Sequence, residues 1–307
     1  MVESDVLIMN TPVVLIIYKR IESIQKHMDI LAKVKPEKLY IIADAAPARN
    51  DEVSDQVEKT RRIAEDVSWP CEVTRIYATE NMGCDRRILS GLNEVFSQEQ
   101  QAIILEDDCI PNPSFFEYCD QLLARYRDRA DVCYISGNHL CPWKEEDSSY
   151  IFSKRGDTWG WATWADRWDC MKGSFEKDWQ EIKSNHLIER QMGNYHGNAF
   201  IRELEEYINQ DIIPWDYQWH ARCISAGKVM IVPGINLVSN IGFDQNATHT
   251  MEAPGGVDMT SYEMQFPLRG PATEKPNRKY DLARQREIFH VTIVTRIKRR
   301  IKKVIKK

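Results

Sequence analysis

The sequence predicts an α/β protein built on a mainly parallel sheet flanked by helices. Three observations predict it. Short apolar runs alternate with amphipathic stretches at the spacing of βαβ units. Acidic residues stand directly after two of these runs: Asp44 after 38–43, and Glu106-Asp107-Asp108 after 102–105. The 307 residues are 43% hydrophobic and 28% charged, ordinary values for a globular chain able to bury a large core. At about 150 residues per domain, this length allows two domains or one large domain with an appendage.

Each element follows from local pattern. Residues 13–18 are continuously apolar up to Tyr18, as in a buried strand. Residues 21–34 have helical periodicity. Residues 38–43 form a second strand ending at Asp44. Residues 50–67 read as a helix and 71–77 as a strand. Residues 85–96 read as a helix with Ile88, Leu92, Val95 and Phe96 on one face. Residues 102–105 form a strand, 114–126 a helix and 132–135 another strand. Beyond residue 140 the pattern loosens. Trp161, Trp164 and Trp168 have helical spacing and read as a packed stripe, with Trp159 close by. Residues 200–210 and 215–226 read as helices and 228–232 as a short strand. The Gly-, Pro-, Thr- and Asn-rich stretch 242–276 reads as loop. Open sheets of this class bind ligands at the carboxyl ends of their strands, where Asp44 and the acidic triplet stand.

Charge and cysteine usage exclude several function classes. The net charge is −5. Arg296 to Lys307 holds eight basic residues and no acidic one, leaving 33 basic against 46 acidic residues in the rest. An acidic body with a basic tail does not suit a nucleic-acid binder. In the tail, Ile293, Val294, Ile297, Ile301, Val304 and Ile305 recur at helical spacing opposite Lys and Arg. This predicts an amphipathic helix over 293–307 lying on an anionic membrane surface. No apolar run reaches the ~18 residues of a membrane span. Glu3 and Asp5 do not suit a signal peptide. The expected location is therefore the cytoplasm, with peripheral membrane association. Eight cysteines without a C-x-x-C pair argue against a zinc cluster and are expected as reduced thiols. The sequon at Asn246 then carries no glycan.

Three consecutive carboxylates at the end of a buried strand are costly unless neutralised. A hard divalent cation with oxygen ligands neutralises them and can stabilise a departing diphosphate. No G-x-x-x-x-G-K-[ST] or G-x-G-x-x-G motif is present, so P-loop and dinucleotide-binding readings lose their usual support. The plain alternatives are a solvated acidic loop, an exposed helix face for Arg86 or Arg87, a turn acid at Asp44 and a helix cap or solvent position for Arg20. Trp215 and Trp219, four apart, are expected as core that holds Asp216 at a cleft rim.

The run Ile104-Leu105-Glu106-Asp107-Asp108-Cys109-Ile110-Pro111, continuing to Phe115-Phe116-Glu117-Tyr118, resembles the metal-site segment of N-acetylglucosaminyltransferase I-like glycosyltransferases. Weaker patches in the same order extend the resemblance over about residues 12–250. The resemblance implies a GT-A-like, Rossmann-type fold and inverting, metal-dependent transfer from a nucleotide sugar, most naturally a UDP-sugar. It implies Asp108 as the direct ligand of Mn2+ or Mg2+. Glu106 and Asp107 would contact ribose, donor sugar or metal-bound water. Arg20 would lie near the nucleotide and Asp44 near the uracil ring, and Arg86 or Arg87 would pair with phosphate. Gly160-Trp161-Ala162-Thr163-Trp164 resembles the loop that shapes the acceptor side. Trp215-Asp216-Tyr217-Gln218-Trp219 resembles the segment supplying the base, here Asp216. Residues 240–243 and 248–250 resemble the closing loop, with His249 toward the metal or diphosphate. Cys109-Ile110 departs from the Leu-Glu pair of the family.

The expected organisation is a GT-A-like domain over 1–277, with a nucleotide half (1–140) and an acceptor half (141–277), and a helical basic tail over 278–307. The expected reaction moves a sugar to a hydroxyl of a glycan or lipid-linked glycan in surface glycan synthesis. A nucleotidyltransferase that makes nucleotide sugars is the rival on the same fold, but Tyr18-Lys19-Arg20 lacks the usual glycines. A non-catalytic sugar-nucleotide-binding scaffold is the rival of another class. A metal-dependent phosphohydrolase would need further His and Asp ligands.

Overall fold

A computed structural model describes residues 9–141, 147–242 and 259–284. Eight strands form one sheet: β1 (Val13–Ile17), β2 (Lys38–Ala43), β3 (Glu72–Tyr77), β4 (Gln101–Glu106), β6 (Val132–Ser136), β7 (Tyr150–Ser153), β8 (Trp161–Trp164) and β9 (Val229–Pro233). Two short strands, β5 (Cys109–Pro111) and β10 (Val238–Asn240), pair antiparallel beside it. The helices are α1 (Ile21–Val34), α2 (Asp51–Glu65), α3 (Cys84–Val95), α4 (Ser114–Arg125), α5 (Ala165–Trp168), α6 (Phe175–Ser184), α7 (Leu187–Met192), α8 (Asn194–Ile208) and α9 (Trp215–Ser225).

The spatial order is β3-β2-β1-β4-β8-β6-β9-β7. β1, β2, β3 and β4 run parallel, as do β6 and β9, while β8 and β7 run against their neighbours. The architecture is the predicted α/β class. The chain runs outward from β1 through β2 to β3, then crosses back so that β4 lies on the other side of β1. The β1/β4 boundary is a topological switch point, where the diverging connections open a crevice at the carboxyl ends. The Tyr18–Arg20 turn and the acidic triplet leave the sheet there.

Burial explains why these residues become central strands. All five residues of β1 are buried, and every residue of β8 is at 0% exposure. Both faces of the sheet are covered, by separate apolar clusters. α1 buries Ile24, Met28 and Leu31 on one stripe and ends at Lys35 in the left-handed conformation (φ 52°). α2 begins with the Asn50 side chain accepting from the Val53 N–H, which satisfies one of the free amides of the helix start.

The second half corrects several sequence expectations. Trp161 and Trp164 lie on a strand, not on a helical stripe; a single helical turn starts only at Ala165. The strand is sandwiched between helical layers, so it shows no alternation of polar and apolar residues. Trp161, Trp168, Trp215 and Trp219 converge into one aromatic cluster, with Trp161 and Trp215 stacked at 5.7 Å and Trp168 and Trp219 tilted at 5.3 Å. The expectation that all cysteines are free thiols is also corrected. Cys133 on β6 and Cys223 on α9, 90 residues apart in sequence, form a disulfide. Their pairing follows from the packing of α9 beneath β6, which sequence spacing does not reveal. The helical turn 278–284 packs back on the sheet: Tyr280 is fully buried and Arg284 pairs with Asp157 at 2.7 Å. The predicted tail helix over 293–307 and His249 lie outside the described residues.

Candidate functional site

A cavity of about 610 Å3 opens at the carboxyl ends of β1, β2 and β4, under the start of α9. β1 supplies Tyr18, Lys19 and Arg20. β2 supplies Asp44. β4 and the turn after it supply Glu106, Asp107 and Asp108. α3 supplies Asp85 and Arg87, α8 supplies Glu203 and Tyr207, and α9 supplies Asp216 and Tyr217. Each strand end is rigid because the residues before it are buried in the sheet. The carboxylates are thereby held near one another against their mutual repulsion.

The acidic triplet is locked to the neighbouring strand end. Asp107 Oδ2 accepts the Tyr18 N–H at 2.9 Å, and Asp107 Oδ1 lies 3.7 Å from Arg20 Nε. The Ser23 hydroxyl donates to the Asp107 carbonyl. Burial raises Asp107 to about 7, and the Asp108 charge adds to it, while the Tyr18 amide and Arg20 oppose the rise. Burial also pushes Glu106 well above the ordinary carboxylate range, with the charges of Asp108, Asp216 and Asp107 adding to the shift. These neighbours favour a proton or a cation in their midst.

Asp108 is covered by the segment after β10. Its carbonyl accepts the Ile241 N–H at 2.9 Å. A Cβ on Gly242 would stand 2.9 Å from Asp108 Cγ and collide with Oδ2. Glycine thus lets the backbone close against this carboxylate, and a Cβ here would require the Asp108 side chain to shift. Among the described residues, no group of three or more His, Cys, Asp or Glu side chains is arranged to hold a metal ion. A divalent ion here would rest on one or two carboxylates and complete its shell with water and phosphate oxygens, the usual manner of Mg2+. The hard oxygen donors and the crowded negative charge fit that arrangement.

Asp216 sits in the first turn of α9, between buried Trp215 and Trp219. Burial raises its carboxyl to about 6; the Tyr217 amide opposes this and Asp85 adds to it. Asp85 in turn accepts the Trp215 N–H at 2.8 Å, which ties α3 to the start of α9. Sequence reasoning placed Asp85 at a helix start within the 83–87 segment expected along the donor, but held no sign of its bond to α9. It missed Glu203 and Tyr207, whose approach depends on long-range packing, whereas Asn240 and Gly242, expected in the closing loop, do line the cavity.

The remaining predicted residues divide. Arg20, Glu106, Asp107, Asp108, Asp216 and Arg87 all line the cavity. Arg86 does not: it is exposed and its Nε donates to the Met82 carbonyl at 2.8 Å. Successive helical residues point about 100° apart, so when Arg87 and Ile88 face inward Arg86 faces solvent. Asp44 lines the cavity, but its oxygens are engaged. They accept the N–H groups of Ala45, Met82 and Gly83 at 2.8–3.2 Å and the Asn81 amide at 3.1 Å. Asp44 therefore fixes the turn that leads into α3. Trp161 is wholly buried, whereas Trp159, two residues earlier, reaches the cavity. Among the described residues, no helix is long and apolar enough to cross a membrane.

No known family model matches the sequence, and no curated protein matches it. Solved structures show partial likeness. A mannosyltransferase from Pyrobaculum calidifontis in complex with GDP-Man and Mn2+ is 15% identical over 55% of this chain and 48% of its own, with a TM-score of 0.36. The chain thus spans about half the length of that enzyme. An apo UDP-glucose pyrophosphorylase is 9% identical over 75% of this chain and 93% of its own, with a TM-score of 0.37. HddC from Yersinia pseudotuberculosis, complexed with GMP-PN, is 12% identical over 51% of this chain and 77% of its own, with a TM-score of 0.29.

Proposed function

We propose that the protein is a metal-dependent, inverting glycosyltransferase that moves a sugar from a nucleotide diphosphate sugar, UDP-linked, to a hydroxyl acceptor. One observation carries this reading. The acidic triplet at the switch point and the separate carboxylate Asp216 face one cavity from opposite elements. The resemblance of residues 104–118 to the N-acetylglucosaminyltransferase I-like family supports it independently.

The donor's nucleotide lies along the β1 and β2 ends, with Arg20 and Arg87 near its charged groups. Asp108, with Glu106 or Asp107 beside it, would hold Mn2+ or Mg2+. That ion, when bound, neutralises the departing diphosphate. Asp216 takes the proton from the acceptor hydroxyl as its oxygen attacks the anomeric carbon on the face opposite the leaving group. One displacement forms one C–O bond, breaks another and inverts the centre. A carboxyl raised to about 6 suits this task, because it is ionised at neutral pH yet more basic than an exposed aspartate. The acceptor is a glycan or lipid-linked glycan, and the basic segment 293–307 holds the enzyme at an anionic membrane on the cytoplasmic side.

The test is incubation with UDP-sugars, Mn2+ and hydroxyl acceptors, with the product's anomeric configuration read by NMR. UDP release with an inverted linkage supports the reading. A retained linkage removes the single-displacement mechanism. Formation of a nucleotide sugar from nucleoside triphosphate and sugar phosphate replaces the reading with nucleotidyl transfer.

A further inference from the structure

We infer that Glu203 selects the acceptor by charge, so that the α8–α9 lobe of the cavity takes an uncharged or amino-bearing polyhydroxyl compound and excludes an anionic one. The inference rests on the transferase reading above and deepens it.

The cavity carries carboxylates throughout, but its cations stand at one end only. Its lining cations, Lys19, Arg20 and Arg87, come from the β1 turn and from α3. The opposite lobe has Glu203 from α8 and Asp216 from α9, and among the described residues no Lys, Arg or His of α8 or α9 lines it. The charges that press on Asp216 are Asp85 and Glu203, both negative. A diphosphate and its cation belong at the β1–α3 end, which holds all three lining cations beside the acidic triplet, Asp44 and Asp85, and this leaves the cation-free α8–α9 lobe to the acceptor.

The lobe is also shaped for a sugar ring. Tyr207 and Tyr217 form one wall, with ring centroids 5.2 Å apart, and Phe200 stacks behind Tyr217 at 5.7 Å. Aromatic faces of this kind offer rigid apolar area to the C–H face of a pyranose. Glu203 and Tyr217 line the same lobe, and the Glu203 charge adds to the burial that pushes the Tyr217 phenol above its ordinary range. An ionised carboxylate only accepts hydrogen bonds. Glu203 can therefore take hydroxyl or ammonium donors from a ligand. A ligand carboxylate, sulfate or phosphate would meet a like charge, with Asp216 adding to the repulsion.

The test compares three probes: methyl glucoside, methyl glucuronide, which replaces the C6 alcohol with a carboxylate, and methyl glucosaminide, which replaces the C2 hydroxyl with an ammonium. Each is titrated by saturation-transfer NMR against protein held in UDP and Mn2+. The glucuronide is expected to bind at least about tenfold more weakly than the glucoside, because like charges are juxtaposed. The glucosaminide binds as tightly as the glucoside or more so. Glu203→Gln narrows the first difference to about twofold, and Glu203→Lys reverses it, since the wall charge is first removed and then inverted. UDP binding, measured on the same samples, reports the fold and the donor site of each variant. Equal binding of glucoside and glucuronide, discrimination unchanged in Glu203→Gln, or no binding of any of the three overturns the inference. Failure of wild-type protein to bind UDP overturns the transferase reading instead.

Discussion

Replacement of Asp216 by Asn should separate stability from function in opposite directions. Burial, with the Asp85 and Glu203 charges, holds the carboxyl at about 6 in the folded state, above the ordinary 3.8. A folded-state value above the unfolded one means that the folded protein binds the proton more tightly. The charged form therefore destabilises the fold, and this penalty is present above pH 6 and vanishes below pH 3.8. The difference of about two pKa units corresponds to roughly 3 kcal/mol at most. Asn keeps the shape and removes the charge. Urea unfolding of Asp216→Asn at pH 8 should show a gain of about 1–3 kcal/mol over wild type, shrinking toward zero near pH 4. Transfer should fall by about 10²–10⁴-fold, the usual contribution of a general base, while UDP binding persists. Wild-type activity should rise with pH through about 6 as the base ionises. Loss of stability at pH 8, or transfer within a few-fold of wild type, would refute this assignment.

Three further outcomes follow from the same geometry. Gly242→Ala places a Cβ against the Asp108 carboxylate and should turn that side chain aside, weakening Mn2+-dependent nucleotide binding, read by calorimetry, at little cost in stability. Asp44→Ala removes the acceptor of the Ala45, Met82 and Gly83 amides, which are partly exposed to water, at about 0.5–1.5 kcal/mol for each bond. Thermal unfolding should show the loss, and Asp44→Asn should restore only part of it. Deletion of Arg296–Lys307 should release the protein from anionic vesicles at low salt without changing UDP binding; equal vesicle binding by the full and shortened chains would remove the membrane role of the tail.

The first half of the fold was legible because its elements are local. α1 and β2 begin and end where periodicity places them, since each has a clean apolar stripe or run bounded by turn residues. The strand ends were legible as site positions because acids do not follow buried strands without a reason. The second half was less legible. β5 and β10 are three residues each and exist only through their pairing across more than 120 residues of chain. β8 is buried on both faces, so Trp161 and Trp164 carry no strand periodicity and mimic a helix with Trp168. α6 carries its own signal, Ser174 before Phe175, Trp179 and Ile182, which the surrounding tryptophans obscure. At the site, Arg87 and Arg86 are adjacent in sequence and only helix phase separates them. Asp44 has the expected place but spends its oxygens on the 81–83 turn, a use that no spacing rule reveals.

The central claim is that Asp108 and its neighbours form a metal–diphosphate site at the β1/β4 switch point. Calorimetric titration of UDP with and without Mn2+, on wild type and Asp108→Ala, tests it most directly. UDP binding that requires Mn2+ and is lost in Asp108→Ala is the predicted result. Tight UDP binding without metal, or no nucleotide binding by the wild type, would contradict it.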